Sequence, residues 1–206
     1  MGKITDIVRQ KRVKTRFSVF IDGEFICGLD EVTVASSRIA IGDEIDADRL
    51  KELVFNSEVN CAFERAVSYL SASPRARKEV YIYLTGKGYD KPIVLEVLSK
   101  LDAYKYIDDR AYAELYIKSK SKKYGAFRIA AELRQKGVDG KIIDELLDDT
   151  EEDAVDVARK YLKSHRAADV QKLKRFLASR GYSWDAISSA VSVLGDELAG
   201  ENEYEE

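Results

Sequence analysis

The spacing of apolar positions changes character near residue 46. Before it, hydrophobic residues fall in short runs rich in aromatic and β-branched types. Arg16-Phe17-Ser18-Val19-Phe20-Ile21 and Glu24-Phe25-Ile26-Cys27-Gly28-Leu29 flank the dipeptide Asp22-Gly23. Asp-Gly between two such runs predicts a β-hairpin, because a type I′ turn needs positive φ at both central residues. Val32-Thr33-Val34 and Ile39-Ala40-Ile41 are expected to add short strands, with Gly42-Asp43 as a second turn. A sheet this small is not stable alone and is expected to pack on the helical remainder of the chain.

From Asp46 onward the apolar spacing is helical. Both prolines stand where a helix is expected to open. Ser73-Pro74 reads as an N-cap with proline at the first helical position, and Asp90-Lys91-Pro92 reads the same way. Thr150 with Glu151, Glu152 and Asp153 after it places a cap and three acids in a first turn, where they complement the helix dipole.

The helical part repeats itself. Leu84-Thr85-Gly86-Lys87-Gly88-Tyr89 aligns with Leu133-Arg134-Gln135-Lys136-Gly137-Val138 and with Leu177-Ala178-Ser179-Arg180-Gly181-Tyr182. In each, Leu precedes Gly by four, a base stands directly before the Gly, and an apolar residue stands directly after it. The glycines are 49 and 44 residues apart. Val94, Ile143 and Ile187 come six positions after them, and Leu98, Leu147 and Val191 ten. Tyr69, Tyr116 and Tyr161 lie 15 to 17 residues before the leucines, on an earlier amphipathic stretch. This predicts three repeats of three helices. Gly ends each middle helix in the left-handed conformation, the basic residue suits the negative end of the dipole, and Asp90, Asp139 or Ser183 caps the third helix. A three-helix unit cannot bury its core alone, so the repeats are expected to stack into an elongated, curved array. The fold class is therefore mainly α, with a small N-terminal β-hairpin or sheet. The expected division is 1–56 for the hairpin extension and linking helix, about 57–106, 107–149 and 150–195 for the repeats, and 196–206 for an acidic disordered tail.

Charge sharpens this picture. The chain of 206 residues has a net charge of −3, unevenly placed. Residues 196–206 carry six acids and no base, residues 61–147 hold 17 Lys and Arg against 12 Asp and Glu, and the first 16 residues hold six bases and one acid. Basic blocks beside an acidic tail fit contact with a polyanion or a charged partner as well as plain solubility. No long apolar run predicts a membrane span, and no leader-like segment opens the chain. Cys27 and Cys61, without a CxxC pair and with the single His165, fit a reduced cytoplasmic protein without a zinc site.

The motifs of catalysis are missing. There is no GxSxG, P-loop or GxGxxG. Thr85-Gly86-Lys87-Gly88 ends a helix instead of opening one, which turns the wrong dipole end toward a phosphate. Asp108-Asp109 reads as a helix N-cap with an acid behind it, not as a metal pair, and His165 as a surface residue at a helix end. The expectation is a binding protein, not an enzyme, with no cofactor and no metal.

Three basic clusters recur at the junction of the first and second helices of each repeat. They are Arg75, Arg77 and Lys78; Lys118, Lys120, Lys122, Lys123 and Arg128; and Lys172, Lys174 and Arg175. In a stacked array they form a basic stripe that could track phosphates or an acidic protein groove. Tyr83, Tyr116 and Tyr124 stand nearby, available to stack on bases or to pack; Tyr116 reads as core.

Taken together, Ile107-Asp108-Asp109-Arg110-Ala111-Tyr112-Ala113-Glu114-Leu115-Tyr116, Gly125-Ala126-Phe127-Arg128-Ile129 and Glu132 through Val138 resemble the central signature of the RecX family. Tyr69-Leu70-Ser71, Pro74-Arg75, Lys78-Glu79-Val80 and Lys87-Gly88-Tyr89 resemble its first repeat. Arg175-Phe176-Leu177 with Arg180-Gly181-Tyr182-Ser183 resembles its third. The resemblance covers roughly residues 57 to 195, and the hairpin is similar to an extension seen in some members. It implies a regulator that binds the RecA recombinase, chiefly its filament on single-stranded DNA, suppresses ATP hydrolysis and strand exchange, and shortens the filament by lying in its groove. The basic positions it carries over are Arg75, Arg77, Lys78, Lys120, Lys122, Lys123, Arg128, Lys172, Lys174 and Arg175. Ser73 departs from the pattern where members often carry another Arg, and the acidic tail lies outside it. A monomer is the simplest state for a groove binder. The alternative is a module that binds single-stranded nucleic acid directly, without a recombinase.

Overall fold

The computed structural model describes residues 1–148, 154–165 and 169–202, with side chains through residue 195. The expected cap at Thr150 with Glu151, Glu152 and Asp153, and the end of the acidic tail at 203–206, lie outside the described residues. The chain divides into two compact units, Met1–Ile107 and Asp108–Glu206.

The first unit opens with a four-stranded antiparallel sheet in the order β3-β2-β1-β4: β1 Gly2–Arg9, β2 Arg16–Ile21, β3 Glu24–Asp30 and β4 Glu44–Ile45. The hairpin forms as expected, with φ of 51° at Asp22 and 88° at Gly23. β1 was not foreseen; its alternation is blurred by Lys3, Thr5, Asp6 and Arg9.

The expected strand at Val32–Val34 is instead part of helix α1, Glu31–Ser37. The cause is Asp30, whose carboxylate accepts from the backbone N–H groups of Val32 and Thr33 at 3.0 and 3.1 Å and starts a helix where β-branched residues alone suggest a strand. Ile39–Ile41 is not a strand; the chain turns there, and Glu44–Ile45 pairs with Gly2 and Lys3. Asp30 is buried and well served. Its N–H donates to Ser57 Oγ at 2.7 Å, Thr33 Oγ1 donates to its carboxylate, and Asn60 donates to Thr33 Oγ1 at 3.1 Å. Asp30→Ala removes the cap and strands the N–H groups of Val32 and Thr33 and the Thr33 hydroxyl, so we expect a loss of about 2 kcal/mol in urea denaturation, with Asp30→Asn losing less.

Helix α2, Ala47–Ala72, serves two cores. Its first half brings Leu50, Leu53 and Val54 against Ile4, Val19, Leu29 and Ile45 of the sheet. Its second half brings Val59, Ala62 and Ala66 against Val80 and Leu84 of α3 (Arg77–Gly86) and Ile93, Val94, Val97 and Leu98 of α4 (Lys91–Ala103). The expected start at Ser73-Pro74 is displaced. Ser73 ends α2, and α3 begins at Arg77 behind Ala76, whose N–H donates to the Glu79 carboxylate at 3.1 Å. Burial of the Ala76 methyl and the reach of Glu79 fix the first turn there. Asp90 starts α4 as expected.

The second unit holds α5 Asp109–Lys120, α6 Ala126–Lys136 and α7 Gly140–Asp148, then α8 Val155–Ser164, α9 Val170–Ser179 and α10 Trp184–Asn202. Asp108 caps α5, accepting from Arg110 and Ala111 N–H at 2.9 and 3.0 Å. α10 runs through the beginning of the segment read as a tail. The repeat signature has one structural meaning throughout. Gly88, Gly137 and Gly181 have φ of 90°, 88° and 82°, and the residue after each donates its N–H to the carbonyl of Leu84, Leu133 or Leu177 at 3.3, 3.1 and 3.3 Å. This bond closes the helix end in a Schellman turn, and all three leucines are fully buried.

Candidate partner interface

The repeat places rings and bases together. Tyr69, Tyr116 and Tyr161 each lie on the first helix of their repeat and meet the residue one before the repeated leucine. Tyr69 stacks on Tyr83 with centroids 4.0 Å apart, Tyr161 stacks on Phe176 at 4.1 Å, and the Tyr116 hydroxyl donates to Glu132 at 2.5 Å. The base before each glycine covers the pair. Lys87 lies 5.5 Å from the Tyr83 centroid, Lys136 lies 5.6 Å from that of Tyr116, and Arg180 lies 5.1 Å from that of Phe176. Residues that the sequence explained by the dipole alone therefore also cover a ring in each repeat.

In the second repeat the pair carries a charge. Burial, then the hydrogen bond to Glu132, pushes the Tyr116 hydroxyl up to about 12. The bond from Tyr116, then that from Arg128, holds the Glu132 carboxyl below its usual range. Glu132 thus contributes stability that is present above its unfolded pKa and fades as pH falls through the folded one. Tyr116→Phe is expected to cost about 1 kcal/mol at pH 7, discounted for part exposure, and less at a pH acid enough to protonate Glu132 in the folded protein. Urea denaturation at the two pH values checks this, and an equal loss at both would contradict it.

The predicted basic residues lie at or near the helix junctions, except Lys174 and Arg175, which stand in the middle of α9, and they do so in different conditions. In the first unit Arg75 is half-buried 4.9 Å over the Tyr69 ring, Arg77 is ion-paired with Asp102, and Lys78 is exposed. In the second unit Lys118 and Lys120 end α5, and Lys122 and Lys123 lie in the turn to α6. Lys120 is half-buried on the rings of Tyr116 and Tyr124, at 5.5 and 5.7 Å. Arg128 pairs with Glu132 at 3.1 Å and stacks 4.2 Å over Tyr124. Lys172 reaches Asp169 at 3.9 Å, Lys174 lies 5.4 Å over Trp184, and Arg175 is exposed. Several charges are thus already matched inside their own repeat. Lys118, Lys122, Lys123 and Arg175 are exposed and have no carboxylate within ion-pairing distance among the described residues.

The second and third repeats also meet backbone to backbone, which sequence spacing did not reveal. Gly125 N–H donates to the Arg180 carbonyl at 3.0 Å, and Phe127 N–H donates to the Gly181 carbonyl at 3.1 Å. The C-terminal end of α9 thus feeds the N-terminal end of α6, satisfying groups that helix ends otherwise leave open. A Cβ on Gly125 would lie 2.3 Å from the Gly181 carbonyl oxygen, so only glycine fits. Beside this junction is a cavity of about 680 Å³ lined by Lys122, Lys123, Tyr124, Lys160, Tyr161 and Arg180, among others. Lys160 and Arg180 were not among the predicted contacts; the base repeated before each glycine was the available signal for Arg180, whereas Lys160 stands where the other repeats have Ser68 and Leu115, so no repetition marked it. No helix among the described residues is long and apolar enough to cross a membrane.

Family models match most of the chain: the regulatory protein RecX N-terminal domain over 2–46, and the first, second and third RecX three-helix domains over 62–101, 108–147 and 149–191. The regulatory protein RecX of Clostridium tetani is 34% identical, the match covering 94% of this chain and 95% of that protein. That of Bacillus subtilis is 32% identical, with 98% and 80% covered. A crystal structure of regulatory protein RecX superposes with a TM-score of 0.74 at 27% identity, covering 95% of this chain and all of that one. RecX from Lactobacillus salivarius gives 0.62 at 26% identity, covering 67% of this chain and 97% of that one.

Proposed function

This chain belongs to the RecX family of regulatory proteins, and from that premise we propose that it binds the RecA recombinase, chiefly as its filament on single-stranded DNA, and restrains ATP hydrolysis and strand exchange. It acts as a non-catalytic monomer of the cytoplasm. The observation that carries the reading is the group Lys118, Lys122 and Lys123 at the α5–α6 turn, exposed and without carboxylate partners among the described residues. Cations left unmatched by their own fold are free to meet an acidic partner at little desolvation cost. Matched cations such as Arg77 and Arg128 instead hold their repeats in shape.

The test is RecA ATPase on single-stranded DNA with the protein titrated in. The reading expects inhibition at or below one protein per recombinase. An ATPase rate unchanged at a several-fold excess would refute it.

A further inference from the structure

The cavity beside the junction of the second and third repeats has a wall of unusual composition. His165 stacks on Tyr161 with centroids 4.3 Å apart, and Tyr161 stacks on Phe176 at 4.1 Å. Arg180 covers Phe176 at 5.1 Å and Tyr124 at 5.3 Å, and Arg128 closes the far face of the row 4.2 Å from Tyr124. The result is one column of flat groups running from the third repeat to the second and ending at the exposed imidazole of His165. Lys122, Lys123 and Lys160 line the same cavity; among the described residues no acid lines it and none of these lysines has a carboxylate partner.

Complementing helix dipoles does not account for this arrangement. Lys122 and Lys123 lie beyond the end of α5, whose last turn already holds Lys118 and Lys120. Three like charges held around one cavity repel one another, a cost that an anion would remove. An acidic peptide would satisfy the charge but offers no plane to extend the column, whereas a nucleobase does, and base–aromatic stacking contributes about 1–3 kcal/mol per base. The cavity volume of about 680 Å³ also falls among those of small-molecule sites.

We propose that this cavity is a nucleoside-phosphate subsite. Lys122, Lys123 and Lys160 hold the phosphate, and the base continues the ring column at His165. The ligand is either a free nucleotide or one residue of a single strand, which share this chemistry. The proposal goes beyond recombinase binding and depends on Lys160 and His165, which that reading does not use.

The test uses the full chain and a fluorescein-labelled oligothymidylate of about 12 nucleotides, read by anisotropy, with thymidine 5′-monophosphate and inorganic phosphate as competitors. Lys160→Glu is expected to weaken binding about tenfold and to flatten the log–log salt dependence by about 0.7 for the lost phosphate contact. His165→Ala is expected to weaken binding about fivefold with the salt slope unchanged. Displacement by the mononucleotide, but not by an equal concentration of phosphate, supports the subsite and identifies a free nucleotide as a sufficient ligand. Loss of binding in both variants with neither competitor effective also supports it and assigns the ligand to a strand. Wild-type binding by both variants overturns it, as does equal competition by phosphate, or no binding by the unaltered protein. RecA-filament binding by Lys160→Glu is measured in parallel. Retained filament binding with lost oligonucleotide binding separates this site from the recombinase reading, so either can fail alone.

Discussion

Gly125→Ala is expected to destabilise the second unit by about 3 kcal/mol, at the upper end of what overpacking costs. The added methyl would lie 2.3 Å from the Gly181 carbonyl oxygen and 2.4 Å from both N and Cα of Tyr182. All three are backbone atoms, so no side chain can swing aside, and the two repeats must separate. The backbone at Gly125 has φ −79° and ψ 170°, which alanine adopts freely. Its conformational effect alone would therefore stabilise slightly, by about 0.4–1 kcal/mol through the unfolded chain, and the collision outweighs it. Two comparisons isolate the cause. Gly181→Ala meets Arg128 N and Cβ at 2.5 Å and also carries a φ of 82°, so it should lose at least as much. Gly88→Ala has a φ of 90° but nothing within 4 Å, so it should lose only about 1–2 kcal/mol. Guanidinium denaturation monitored at Trp184, the single tryptophan and a member of α10, reads the unit directly. Wild-type stability of Gly125→Ala would mean that the two repeats do not meet at this point.

The second large effect is on binding. Reversing Lys118, Lys122 and Lys123 together to Glu is expected to weaken RecA-filament affinity about 10- to 150-fold, at roughly 0.5–1 kcal/mol per position. Because all three are exposed and unmatched among the described residues, circular dichroism and melting should stay near wild type. Lys120 must be left out. It rests on Tyr116 and Tyr124, and a Glu there would approach the Glu132 carboxylate, confusing lost binding with lost stability. Association should fall more than dissociation rises, and the difference should shrink as salt increases. Unchanged affinity of a folded triple variant would move the interface elsewhere on the protein.

What the sequence disclosed depends on how local the cause is. The repeated Leu–base–Gly pattern was legible because a Schellman turn is written within six residues, as at Leu133 to Val138. Asp22-Gly23 was legible for the same reason. The Val32–Val34 segment misled because Asp30, two residues upstream, overrides β-branched preference with a cap. Ser73-Pro74 misled because the buried Ala76 and the reach of Glu79 set the helix start instead. The basic clusters were visible as composition, yet which charges are matched was not. Arg77 finds Asp102 and Arg128 finds Glu132 only after folding. The Gly125–Gly181 contact joins residues 56 apart in sequence, and no periodicity announces it.

Helix α2 carries both the sheet core and the core of the first repeat along one uninterrupted backbone. Unravelling either end releases the anchor of the other, so the two should open as a single cooperative block. Amide hydrogens at Leu53 and at Ala66 are then expected to exchange through the same rare opening, with matching protection. Truncation of the β1 strand would lower protection at Leu84 as well, many residues from the cut.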